Sequence, residues 1–147
     1  MKGKPEKPVR RMTRQRRVVL AAVVKYPFHP TADEIHAEVR KALPGTSIAT
    51  VYRNLEALVE AGSIRRLEPE QTPMRFDGDL SEHYHVTCMK CGNIENAPFD
   101  TGDRNLDTLE KALGRLTKYG VFGHRLEFIG FCTECKDKEE GYEKIST

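Results

Sequence analysis

His83-Tyr84-His85-Val86-Thr87-Cys88-Met89-Lys90-Cys91-Gly92 is the stretch that decides how the second half of this chain folds. It joins two closely spaced histidines to a Cys-x-x-Cys motif. A second such motif, Cys132-Thr133-Glu134-Cys135, lies further along, and the two motifs hold all four cysteines of the chain. Zn²⁺ in a structural role prefers a tetrahedron of such ligands. The spacing therefore predicts a structural zinc site on Cys88, Cys91, Cys132 and Cys135.

The alternative for the cysteines is a pair of redox dithiols or disulfides. We expect zinc instead, because the chain opens without a secretory signal sequence, and disulfides belong to oxidising compartments. The long gap between the two motifs means that the metal would join two distant strands.

Around this stretch the pattern predicts a small α/β domain. If His83 to Thr87 is extended, His83 and His85 project from one face and offer a partial chelate for a borderline metal ion. We expect further strands over residues 93–99 and 121–131, and a helix over 103–118. That helix and the last strand carry more apolar surface than a small domain can bury, which favours a two-fold homodimer.

Upstream, three amphipathic helices and a hairpin are expected. Thr13, Thr31 and Ser47 are suitable helix N-caps, and Glu34 completes a capping box with Thr31. Two short extended runs, 63–68 and 74–77, follow the third helix. Three helices and a hairpin are the parts of a winged helix. The fold class is therefore α+β, with an N-terminal winged helix-turn-helix domain (1–79) and a small C-terminal α/β dimerisation domain (80–147).

The third helix has a side that suits the major groove of DNA. We expect its apolar side to pack and its opposite side, which is small and polar, to face outward: Ala49, Thr50, Arg53, Asn54 and Ala57. Arginine can hold a guanine edge or a phosphate, and threonine can contact a thymine methyl. The DNA-contact residues predicted from the sequence are Arg16, Thr50, Tyr52 and Arg53.

Charge is distributed unevenly along the chain. Residues 1–79 carry a net charge of +5 and residues 80–147 a net charge of −3, so we expect the first half to meet a polyanion. No apolar run approaches the roughly 18 residues that span a membrane. We therefore expect a cytoplasmic protein that does not act at a membrane.

Several motifs together resemble the ferric uptake regulator family, and the match runs in order from about residue 10 to residue 136. The motifs are His29-Pro-Thr-Ala-Asp, Ile48-Ala-Thr-Val-Tyr-Arg-Asn-Leu, Arg75-Phe-Asp, His83-Tyr-His, and His124-Arg-Leu-Glu before the second cysteine pair. The resemblance implies a dimeric, metal-dependent transcription factor that binds an AT-rich inverted repeat in double-stranded DNA.

The resemblance also implies a regulatory metal site for Fe²⁺ or Mn²⁺ between the two domains. On this chain its positions are His29, Asp77, His83, His85 and Asn96. From the residues alone, His29 would be a solvated loop histidine, and only the resemblance makes it a ligand. Asn96 departs from the pattern, because the family carries an acid there, so Glu95 or a water is an alternative fifth ligand.

Aspartate at position 77 resembles the peroxide-sensing repressors of the family, whereas iron-sensing members usually carry glutamate at this position. The expected function is thus a repressor that senses peroxide through metal-catalysed oxidation of His29 or His83. An Fe(II)-responsive iron-uptake regulator is the first alternative. A zinc hydrolase that uses the histidines with Asp77 is a distant one, because it would leave the charge asymmetry unexplained.

Overall fold

The computed structural model describes residues 11–69, 72–98 and 104–138, without the side chain of Arg104. These residues form two compact units, one ending at Leu80 and the other beginning at Ser81. The outer ends of the two domains expected from the sequence, residues 1–10 and 139–147, lie outside the described residues. Within the described ranges, none of the helices has the length and apolar character to cross a membrane.

Three helices, each started by a hydroxyl side chain, form most of the first unit. Thr13 and Ser47 each accept a hydrogen bond from the backbone N–H three residues further on. Thr31 and Glu34 form the expected capping box, in which each side chain accepts from the backbone N–H of the other residue. These contacts satisfy N–H groups that a helix cannot pair internally. The helices are α1 (Arg14–Lys25), α2 (Ala32–Ala42) and α3 (Ile48–Glu60).

The apolar sides of these helices meet in one buried cluster. Phe76 enters it from the hairpin and is fully buried, and burial of such a side chain contributes about 1.5–3 kcal/mol. The first unit therefore carries a core of its own. Its members are Val19, Ala22, Val23, Ala32, Ile35, Val39, Val51, Leu55, Leu58, Ile64 and Phe76.

A two-stranded hairpin completes the first unit. Strands β1 (Arg65–Leu67) and β2 (Arg75–Asp77) are antiparallel, with Arg65 opposite Asp77. All three residues of β2 are buried. Gly62 ends the preceding helix with a φ of 70°, a left-handed conformation that glycine adopts without a Cβ clash. Three helices followed by this hairpin confirm the predicted winged helix-turn-helix.

The second unit is built on a three-stranded sheet with β3 in the centre. Its neighbour β4 is antiparallel and its neighbour β5 is parallel. A parallel pair needs a crossover connection, and the segment that contains α4 supplies it. The elements are β3 (His85–Cys88), β4 (Ile94–Asn96), α4 (Arg104–Leu116), β5 (Glu127–Gly130) and α5 (Thr133–Lys136).

The strands of the second unit are shorter than the sequence predicts. β3 starts at His85 and includes Cys88, so His83 precedes the strand. The expected strand over 121–131 is a strand only over Glu127–Gly130, and residues 121–126 are irregular. Aromatic residues favour strands, but Phe122 is 100% exposed in this chain and has no packing that would hold it in a sheet.

Candidate metal centres

The four cysteines form a compact cluster, as their spacing predicts. Their sulfur atoms all lie within 4.8 Å of one another, and the sulfurs of Cys91 and Cys132 are 3.8 Å apart. A disulfide would need about 2.05 Å. A tetrahedral Zn²⁺ with Zn–S bonds of about 2.3 Å places its sulfurs about 3.8 Å apart. The residues present therefore fit a zinc ion.

Local turns bring each cysteine pair together. Cys88 ends β3, and the chain then turns back so that the N–H of Gly92 donates to the Cys88 carbonyl at 2.9 Å. Gly92 allows this turn with a φ of 71°. Cys132 lies at the start of the short helix α5, which carries Cys135 one turn later. The backbone N–H of Cys132 donates to the sulfur of Cys88 at 3.4 Å, linking the two pairs.

The environment separates the acidities of the thiols. Burial alone would raise the pKa of Cys88, but backbone N–H donors from Cys132, Cys91 and Lys90 outweigh it and lower the pKa to about 6. Burial, together with the neighbouring sulfurs, raises the pKa of Cys135 to about 12. The surroundings therefore favour the thiolate form of Cys88, and a metal ion would displace the proton of Cys135 on binding.

In the first unit, His29 and Asp77 form a buried pair. They are 6% and 1% exposed, and His29 Nδ1 lies 3.6 Å from Asp77 Oδ1, slightly beyond hydrogen-bond distance. The Arg75 guanidinium donates to the His29 carbonyl at 2.8 Å, which ties the loop to β2. The expectation from the residues alone, that His29 is solvated, is wrong. A buried carboxylate beside an imidazole is a set of donors that suits a divalent cation.

In the second unit, His83 and His85 face each other. Their ring centroids are 4.6 Å apart with an interplanar angle of 73°. His83 Nδ1 lies 2.9 Å from the Ser81 carbonyl oxygen, which can only accept, so Nδ1 carries the hydrogen in the neutral ring and Nε2 carries the lone pair. A metal-binding histidine is commonly oriented in this way through its other nitrogen.

The sheet register distinguishes between the two candidates for a fifth ligand. Asn96 lies directly opposite His85 on the neighbouring strand, whereas Glu95 lies opposite Val86. Opposed residues share a face of the sheet, and successive residues point to opposite faces. Asn96 is therefore on the His85 face and Glu95 on the other, where it accepts a hydrogen bond from Asn93 at 3.1 Å.

The residues expected to contact DNA lie on two helices of the first unit. On α3, Tyr52 is 43% exposed, Arg53 is exposed and Thr50 is half-buried. Arg53 donates to the Thr50 hydroxyl at 3.0 Å, which holds the guanidinium close to the helix. On α1, Arg16 is half-buried and donates to the Arg11 carbonyl at 2.6 Å.

Two residues of α3 do not lie where the sequence analysis places them. Asn54 and Ala57, expected on the outward side, are 7% and 1% exposed. The Asn54 amide donates to the Thr50 carbonyl at 2.9 Å inside the helix. The buried stripe is wider than the apolar positions indicate, because a small residue and a self-satisfied amide can both pack against a core.

Sequence reasoning missed one polar cluster of the second unit. The sequence analysis names His124 and Tyr84 only within quoted motifs and does not single out Glu110. In the structure the three side chains are joined by hydrogen bonds. The only signal in the sequence is the position of Tyr84 between two candidate ligands.

Comparisons with known proteins identify relatives of this chain. The model of the ferric uptake regulator family matches residues 8–129. The peroxide operon regulator of Bacillus subtilis is 38% identical over 88% of this chain and 86% of its own length. The peroxide-responsive repressor PerR of Staphylococcus aureus is 34% identical over 87% of this chain and 84% of its own.

A solved structure of another peroxide regulator is also similar to this chain. The Campylobacter jejuni peroxide stress regulator superposes with a TM-score of 0.62 at 32% identity and covers 82% of this chain and 88% of its own. The family consists of transcription regulators, so the hydrolase alternative is not supported. The family model, the identities and the superposition together show that this chain belongs to the ferric uptake regulator family.

Proposed function

We propose that this protein is a metal-dependent transcriptional repressor that senses peroxide through oxidation of a histidine ligand. The observation that carries the proposal is the presence of two donor pairs without sulfur, His29 with Asp77 and His83 with His85, each assembled within its own unit. The named relatives in Bacillus and Staphylococcus are peroxide regulators, which supports peroxide as the signal.

The two kinds of site suit two kinds of metal. Four thiolates select zinc, which has no redox chemistry of its own and serves a structural role. Imidazole and carboxylate donors suit Fe²⁺ or Mn²⁺. In this proposal both donor pairs bind one regulatory ion, and the Asn96 amide, on the same sheet face as His85, contributes a neutral oxygen.

Metal binding and DNA binding are coupled if one ion needs ligands from both units. The ion then stabilises the arrangement of units that binds DNA, and by linkage DNA raises the affinity for the ion. Members of this family bind DNA as dimers. We propose an AT-rich inverted repeat as the operator, read in each half by the α3 residues Thr50, Tyr52 and Arg53, with Arg16 on phosphate. Such a protein works in the cytoplasm, with the chromosome.

Asp77 is the residue that favours peroxide over iron as the signal. A bound Fe²⁺ would activate hydrogen peroxide by giving it one electron and would take one electron back from the oxidised ring. In the net reaction the imidazole of His29 or His83 gains one oxygen atom and the second oxygen leaves as water, so the peptide mass rises by 16 Da. An oxidised imidazole has a changed donor set, the ion is lost, and the repressor leaves the operator.

The test loads zinc-replete dimers with Fe²⁺ or Mn²⁺ under anaerobic conditions and adds limiting H₂O₂. We expect +16 Da on the peptides of His29 or His83, with loss of operator binding in a gel shift, for Fe²⁺ and not for Mn²⁺. If operator binding follows Fe²⁺ while peroxide leaves both peptides unmodified, the protein is an iron-responsive regulator. An Asp77→Glu variant also distinguishes the two functions. A peroxide sensor should lose its response to H₂O₂, whereas an iron-responsive regulator should change little.

A further inference from the structure

The missed polar cluster of the second unit is a chain of three side chains. Tyr84 is only 8% exposed, and its hydroxyl lies 2.6 Å from His124 Nε2. On the other side of the ring, His124 Nδ1 lies 2.5 Å from the carboxylate of Glu110 on α4. A buried phenol is thus linked through an imidazole to a carboxylate.

The partners determine where the protons lie. The Glu110 carboxylate can only accept, so His124 Nδ1 carries a hydrogen and donates it. In the neutral ring, Nε2 then has a lone pair, and Tyr84 O–H is the donor to it. His124 is therefore positioned to accept the phenolic proton, and Glu110 stabilises the imidazolium that results.

Tyr84 lies next to the proposed ligands but on the other face. It is the residue between His83 and His85 in the sequence. Its ring packs edge-on against Phe128, with the ring centroids 6.5 Å apart. Phe128 is the sheet partner of Val86, which shares a face with Tyr84, whereas His85 points to the opposite face. Tyr84 therefore adjoins the proposed metal site without being a ligand of it.

We propose that Tyr84 is an electron donor that competes with the histidine ligands for the oxidant formed from peroxide. This inference rests on the proposed function. A bound Fe²⁺ would supply the one electron that splits hydrogen peroxide into hydroxide and a hydroxyl radical. The radical takes an electron from Tyr84 and becomes a second hydroxide. The phenolic proton passes to His124 Nε2, so the products are a neutral tyrosyl radical and an imidazolium.

The consequence is a threshold for the sensor. Each oxidant that Tyr84 reduces leaves the histidine ligands unmodified, so the site keeps the donors that it needs to bind Fe²⁺ again. The hydrogen-bonded base matters because loss of an electron from a phenol without loss of its proton would leave a buried, unpaired positive charge. Tyr84 thus sets the fraction of peroxide encounters that inactivate the protein.

The test compares zinc-replete, Fe²⁺-loaded wild-type dimers with a Tyr84→Phe variant and the matched control Tyr119→Phe. Tyr119 belongs to the same unit and is 78% exposed. Samples frozen within milliseconds of H₂O₂ addition are examined by electron paramagnetic resonance, and the +16 Da yield per peroxide is measured by mass spectrometry. We expect a tyrosyl signal in the wild type and in Tyr119→Phe, its loss in Tyr84→Phe, and a higher yield of oxidised histidine in Tyr84→Phe alone.

A second variant separates proton transfer from packing. His124→Gln keeps a hydrogen-bonding side chain but removes the basic nitrogen, and we expect it to lower the radical signal and raise histidine oxidation, with zinc content and Mn²⁺ affinity unchanged. Equal histidine oxidation in wild type and Tyr84→Phe, with no radical in either, overturns this inference and leaves the proposed function standing. Absence of both radical and histidine oxidation from every variant overturns both.

Discussion

The four-sulfur centre and the histidine–carboxylate pairs differ in where their donors come from. All four cysteines lie in the second unit, and their sulfurs lie within 4.8 Å of one another. The other donors are divided, with His29 and Asp77 in the first unit and His83 and His85 in the second. A site contained in one unit can stabilise only that unit, whereas divided donors can report on the arrangement of two. The difference fits a structural role for zinc on the four sulfurs and the regulatory role that we propose for the divided donors.

The units differ in a way that matches this division of roles. The first unit buries eleven apolar side chains in one cluster. Among the described residues of the second, the buried apolar side chains besides Cys88 and Cys135 are only Tyr84, Ile94 and Ala97. Such a small core does not hold a fold alone. We therefore expect the stability of the second unit to depend on its zinc ion and on burial of the apolar surface of α4 in the dimer. Leu109, Leu113 and Leu116 are exposed on that surface.

The largest effect should come from breaking the sulfur centre. Cys132→Ser removes one of four ligands, and structural zinc contributes about 10–16 kcal/mol of apparent binding free energy. We expect loss of zinc and of the fold of the second unit, while the first unit stays folded on its own core. Zinc analysis and NMR spectra of both units are the measurement. Thr133→Ser, the adjacent residue, is the control, and a second unit that stays folded without zinc would contradict the comparison.

A smaller effect should follow from removing one donor of the divided set. We expect His29→Gln to weaken Mn²⁺ binding by at least roughly 100-fold, the upper range for losing a residue that only supports a ligand, with zinc content and fold retained. Titration followed by electron paramagnetic resonance measures the affinity. His36→Gln is the matched control in the same unit, because His36 instead contacts the Thr46 carbonyl. Equal Mn²⁺ affinity for both variants would exclude His29 as a ligand.

A substitution at Asn96 should raise the affinity of the divided donors for the metal ion. Asn96→Asp adds a negative charge opposite His85, and we expect Mn²⁺ to bind about tenfold more tightly, or about 1.4 kcal/mol. Asn105→Asp makes the same change of charge elsewhere in the second unit and serves as the control. A gain no larger than that of the control would mean that position 96 does not reach the ion.

The smallest effect should be confined to the first unit. Thr31→Ala removes the capping box of α2, which costs about 1 kcal/mol of unfolding free energy. We expect a lower melting temperature for the first unit and an unchanged zinc content. Thr117→Ala provides the comparison in the second unit, where the Thr117 hydroxyl donates to the Leu113 carbonyl. Destabilisation of the second unit by Thr31→Ala would show that the units do not melt independently.

Local chemistry explains what the sequence could predict. Thr13, Thr31 and Ser47 start helices because their hydroxyls satisfy nearby backbone N–H groups, and this effect needs only a few neighbouring residues. The cysteine cluster follows in the same way from ligand type and spacing. The fold class and the four-sulfur site were therefore within reach of the sequence, and the structure confirms the winged helix.

Tertiary packing explains what the sequence could not predict. The burial of His29 depends on β2, more than forty residues away, through the bond from Arg75. Phe122 is apolar but fully exposed, because apolar composition does not distinguish a core from an outer surface. The roles of Asn96 and of the DNA-contact residues stay predictions. Strand register and exposure give the positions of these side chains but do not show that they bind metal or DNA.

Strand β2 places the fully buried Phe76 between Arg75, which ties the His29 loop, and Asp77, the candidate ligand. A one-residue slip in a strand exchanges its two faces. A single insertion within residues 75–77 would therefore turn the phenyl ring out of the core and turn a polar neighbour in. Lengthening the chain between β1 and β2 leaves this order intact. The register of β2 therefore tolerates insertions between the two strands but not within residues 75–77.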